Sequence, residues 1–158
     1  MRRLEEARAK CLMGLDEIER SDFMYRDTNR VVCLVALGRT AADQGDAEAA
    51  RTAFQQAIVH VKGRSRMLAG GTLLVRALAG LARLDRDAGV YAEAREREAT
   101  RDDFDFSWVW MCDDFLTHEE LAETARALGQ EDHMLTYLAR ARQAGPVDAS
   151  QDGAPSSV

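Results

Sequence analysis

The chain has 158 residues, of which 46% are apolar, 30% charged and only 6% aromatic, with 21 basic against 27 acidic side chains. That length fits one domain able to bury a core, and the formal charge of −6 argues against nucleic acid as the main partner. No apolar run approaches the ~20 residues of a membrane span, and the two prolines and scarce β-branched runs leave an all-α composition. Three cysteines without a CxxC spacing, and an opening MRRLEEARAKC with no apolar signal core, make a reduced cytoplasmic protein the expectation. Usage rich in Ala, Arg, Gly and Asp is typical of GC-rich bacterial coding.

In chain order, Arg2 to about Arg20 predicts a helix with one apolar stripe: Leu4, Ala7, Cys11, Leu12, Leu15 and Ile18. Ser21 to Thr28 reads as a polar link anchored by Phe23 and Tyr25, with Asp27 or Thr28 capping the next helix. Leu34 to Ala57 then reads as two amphipathic helices folded back on each other. Leu34, Leu37, Gly38 and Ala41 share a face of the first; Ala50, Phe54 and Ala57 share a face of the second. Gly38 and Ala50 are small where the backbones would cross, and Phe54 is the wedge beside them. Gln44-Gly45-Asp46 supplies a left-handed glycine to end one helix and an aspartate to cap the other. The second helix runs to about Val61, and Lys62-Gly63-Arg64 closes it with cations at the negative end of the dipole.

That pattern, large–large–small–small, then a Gly turn, then small–aromatic–small, closely resembles a tetratricopeptide repeat, with Leu34, Leu37, Gly38, Ala41, Gly45, Ala50, Phe54 and Ala57 at matching positions. A second unit follows, its first helix running from Thr72, an expected cap, to about Asp87, with Leu74, Leu78, Leu81 and Ala82 inward. Gly89-Val90-Tyr91 is its expected turn and Ala94 its small residue. Glu98 stands in place of the family's aromatic and Arg101 in place of a small residue, leaving a gap for Tyr91 or aromatics of the next segment to fill. Asp102 to Leu116, DDFDFSWVWMCDDFL, is an insertion expected to lay Phe104, Phe106, Trp108 and Trp110 over the array as a short helix or turn. Thr117-His118-Glu119-Glu120 reads as a capping box opening a third unit, with Leu121, Ala122, Ala125, Leu128-Gly129, Met134, Leu138, Ala141 and then Pro146. The resemblance implies an antiparallel helix-hairpin stack of about seven helices over residues 1–145, an α-solenoid, with residues 146–158 a flexible tail. The first helix is either a terminal cap or the second half of a preceding unit.

The non-core face of the first helices carries Val32, Val35, Arg39 and Asp43; then Arg76, Ala79, Arg83, Arg86 and Asp87; then Glu119, Glu123 and Arg126. In a shared concave groove, Arg39, Asp43, Arg76, Arg83 and Arg126 become candidate partner-binding residues, and arginine forks suit the carboxylates of an acidic peptide. The Lys and Asn clamp of chaperone-binding family members is absent: Val35, Arg39, Ala79 and Arg83 stand in its places. Trp108 and Trp110 either anchor a partner, as interface tryptophans do, or plug the contact between the second and third units.

Cys112, Asp113, Asp114 and His118 fit no metal spacing, and His60 and His133 are single surface residues. No phosphate loop and no GxSxG elbow occur. The expected function is therefore a protein–protein interaction scaffold or adaptor, not an enzyme, with no cofactor or metal. The alternatives are a peptide- or small-molecule-sensing domain, or a structural array segment of a larger regulatory protein.

Overall fold

The computed structural model describes residues 2–20, 25–64, 70–100 and 107–144, without the side chains of Arg2 and of residues 107–114. Phe23, Phe104, Phe106, the rings of Trp108 and Trp110, the Cys112–Asp114 side chains, Pro146 and the tail 146–158 lie outside those described residues. Seven helices make up the described residues: α1 (Arg2–Arg20), α2 (Arg26–Asp43), α3 (Ala47–Lys62), α4 (Gly70–Asp85), α5 (Ala88–Thr100), α6 (Ser107–Ala127) and α7 (Glu131–Ala144). The protein is an all-α stack of helix hairpins: α2 packs on α3, α4 on α5 and α6 on α7, while α2, α4 and α6 also pack in succession. α1 packs against α2.

The hairpin turns show why the chain folds back. Gly45 adopts φ +79° and Gly129 φ +70°, the left-handed residue that ends a helix. In both turns the residue after the glycine donates back to a buried alanine carbonyl, Asp46 to Ala41 at 2.9 Å and Gln130 to Ala125 at 2.8 Å. Asp46 also caps α3 through a bond from the Ala49 amide at 3.2 Å. The middle hairpin turns earlier than the sequence predicts. Its left-handed residue is Arg86 at φ +52°, Asp87 accepts from the Val90 amide at 2.9 Å, and Gly89 lies inside α5. A capping aspartate decides the turn here, not the nearest glycine.

The organising wedge is present. Leu34, Gly38, Ala41, Ala50, Phe54 and Ala57 are all buried. A Cβ on Gly38 would lie 2.7 Å from the Phe54 ring, and one on Gly80 of α4 would collide with the same ring. Phe54 therefore joins α2, α3 and α4 at one point, a role for Gly80 that the hairpin pattern alone does not reveal. α4 is the central helix: every residue from Leu73 to Ala82 is buried.

Three local expectations are corrected. Thr72 is inside α4, which starts at Gly70. Asp27 and Thr28 lie in the first turn of α2, beyond Tyr25 at its N-cap; Asp27 instead meets Arg64 at 2.9 Å and His60 at 3.1 Å, so His60 is half-buried rather than simply surface. The capping box is not a helix start, because α6 runs unbroken from Ser107 through Thr117 and Glu120. Their spacing of three puts both side chains on one face, and they serve a different purpose.

Candidate functional site

Thr117 and Glu120 hold Arg39. The Arg39 Nε and Nη2 donate to the two Glu120 carboxylate oxygens at 2.9 Å each, and Nη2 also donates to Thr117 Oγ1 at 3.1 Å. Glu120 is 3% exposed and Arg39 12%, so the contact joins α2 to α6 away from solvent. Beside it, Arg83 Nε lies 2.9 Å from Glu123 and its Nη2 3.5 Å from Asp43. The face shared by α2, α4 and α6 thus pairs two guanidinium groups with three carboxylates of the same chain.

Of the residues expected to line a groove, the structure brings together Arg39, Asp43 and Arg83. Arg76 shares that face only as a buried residue of α4, 2% exposed, and Ala79 is fully buried. Arg126 points elsewhere, its Nε donating to the Met134 sulfur on α7 at 3.4 Å. An acidic segment reaching Arg39 would have to displace Glu120.

At the α1 edge of this face lies a cleft of about 660 Å³ between α1 and the α2–α3 turn. Leu4, Ala9 and Leu12 give it an apolar side; Glu5, Arg8 and Asp43 give it charge. Leu12 and Met13 are 50% and 63% exposed. Arg8 is held by Asp46 and Gln44, both at 3.3 Å, which fixes α1 over the turn. Asp43 belongs to both features, since it lines the cleft and meets Arg83. The α1 periodicity predicts its apolar stripe, but not which part stays uncovered.

A second polar group fills the gap left by the missing aromatic at position 98. Glu98 is buried between Arg140, 2.6 Å away, and His118, 3.5 Å away; His118 stacks on Tyr137 with ring centroids 6.0 Å apart. Burial pulls the Glu98 carboxyl upward, but the bonds from His118 and Arg140 outweigh it, and the group ends below the ordinary carboxylate value. Tyr91 is pushed up to about 12 by burial and by Tyr137, against the cation of Arg95. Tyr91 does occupy the interior, at 1% exposure. The cluster joins α5, α6 and α7, with Glu98 and His118 buried and Arg140 reaching them from the surface, so its role is to hold the last hairpin on the one before it.

Among the described residues no group of three His, Cys, Asp or Glu side chains is placed to hold a metal ion, and no helix is long and apolar enough to cross a membrane. Compared with family models, curated proteins and solved structures, the chain matches none.

Proposed function

We propose that this chain is a tetratricopeptide-like interaction scaffold of the bacterial cytoplasm, and that it holds an amphipathic segment of a protein partner in the cleft beside α1. The observation that carries this reading is the cleft itself, where Leu4, Ala9 and Leu12 offer apolar surface rimmed by Glu5, Arg8 and Asp43. An amphipathic helix lays its oily face into such a groove and meets charge at the rim, and exposed apolar side chains beside a concavity mark contact surfaces. Arg83, 37% exposed at its side chain, extends the rim through Asp43 and is the arginine of that face best placed to meet the partner's polar side. Arg39 is engaged by Glu120 and shapes the scaffold instead.

The test is affinity capture with crosslinking from the source cell, comparing the wild type with Leu12→Glu, Arg83→Glu and Arg126→Glu. A partner lost with Leu12→Glu, weakened with Arg83→Glu and kept with Arg126→Glu supports the cleft. A partner kept by the Leu12→Glu protein sinks it.

A further inference from the structure

Cys11 and Cys33 are both free and half-buried, and they lie on the two helices that cross where α1 packs on α2. Gly14 lies in this contact. A Cβ built on Gly14 would lie 3.3 Å from the Cys33 sulfur, so the missing side chain seats that thiol against the α1 backbone. Cys11 precedes Gly14 by three residues and shares its helix face. An inter-helix disulfide needs Cα atoms within roughly 7 Å; with Cα atoms about 2.3 Å from each axis, facing positions on helices packed ~8–10 Å apart meet that limit, and Gly14 leaves the Cys33 sulfur room against α1. The thiols also feel each other: burial pushes both up, and the charge of a Cys11 thiolate pushes Cys33 up further.

We propose that Cys11 and Cys33 form a thiol–disulfide exchange site that small-molecule disulfides, such as oxidised glutathione, close into an intramolecular bond tying α1 to α2. The Cys11 thiolate attacks one sulfur of the reagent, the reagent's S–S bond breaks, and one glutathione leaves as its thiolate. Cys33 then loses its proton and attacks the Cys11 sulfur of the mixed disulfide, releasing the second glutathione. The protein gives up two electrons and two protons, and the reagent takes up both. Cys11 goes first because the Cys33 sulfur is seated against the α1 backbone at Gly14, where a bulky reagent has less room to reach it. The site goes beyond partner binding, although α1 forms one side of the cleft and the bond would fix that side in place.

The experiment is to expose the full chain to oxidised glutathione, block remaining thiols, and map the unreduced peptides by mass spectrometry. The expected product is a Cys11–Cys33 linked peptide in a monomer lighter by two hydrogens, with Cys112 read from its own peptide. Its melting temperature rises by roughly 5–10 °C and returns on reduction. Cys33→Ser should instead hold a lasting glutathione adduct at Cys11. Two lasting adducts on the wild type, two thiols still open to alkylation, or linkage only between chains would each overturn the proposal.

Discussion

Arg39 and Glu120 face each other fork to fork, both contacts at 2.9 Å, across 81 residues of chain. The pair closes α2 onto α6, and its burial sets the consequence of breaking it. Removing one partner from a buried ion pair costs about 3–5 kcal/mol, whereas replacing both with well-packed apolar residues is often neutral or better. Arg39→Met should therefore lower unfolding free energy in urea by about that amount, and Arg39→Met with Glu120→Leu should regain most of it.

Phe54 against Gly38 and Gly80 is the second test of the stack. Phe54→Ala should cost about 3–5 kcal/mol. Gly80→Ala, which in an open helix would stabilise by up to ~1 kcal/mol, should instead destabilise by about 1–3 kcal/mol through collision with the ring. Combining Gly80→Ala with Phe54→Leu should cost less than the two changes added, because the smaller side chain makes room. Denaturant melts of the wild type, the three single variants and the double variant decide this.

Glu98 makes stability depend on acid. Its folded carboxyl sits below the ordinary value of 4.5, so in acid the unfolded chain takes up its proton first. The contribution is present above that ordinary value and is lost as pH falls through the folded one. Melting temperature should drop more steeply below about pH 4.5 in the wild type than in Glu98→Gln, which starts lower at neutral pH.

Tyr91 acts at the alkaline end. Its phenol is raised from 10.0 to about 12, so the unfolded chain ionises first and stability is lost as pH rises above 10. The Tyr91 hydroxyl is buried without a hydrogen-bond partner among the described residues. Tyr91→Phe should leave neutral-pH stability unchanged or slightly higher and flatten the alkaline loss, read from melts between pH 9 and pH 12.

Arg86 holds a left-handed conformation that costs an ordinary residue ~1–2 kcal/mol. Arg86→Gly should raise stability by up to about 1 kcal/mol after the entropy of glycine is counted, while Gly45→Ala, with open space around it, should lower it by about 1 kcal/mol through backbone strain alone.

Helix spacing, the Gly45 turn and the Phe54 wedge were legible because they depend on residues near one another in sequence. The first hairpin follows from Leu34, Gly38, Ala50 and Phe54 alone. What escaped depends on distant partners. Thr117 and Glu120 carry the spacing of a capping box, and only their encounter with Arg39 from α2 shows that the box is not used. Glu98 looked like a defect in the pattern until His118 and Arg140 arrived from α6 and α7. The arginines of that shared face were found by position, but their occupation by Glu120, Glu123 and Asp43 was not. Exposure of Leu12 follows from what α1 does not touch, which periodicity cannot state.

Binding of a captured partner to two variants measures the central proposal most directly. One is Leu12→Glu; the other is Arg39→Met with Glu120→Leu, which replaces the buried pair with apolar side chains. The cleft reading predicts that the apolar pair retains wild-type affinity and that Leu12→Glu loses at least about tenfold, or ~1.4 kcal/mol. Full binding by Leu12→Glu together with loss in the apolar pair would contradict it, and would place the partner on the face around Arg39.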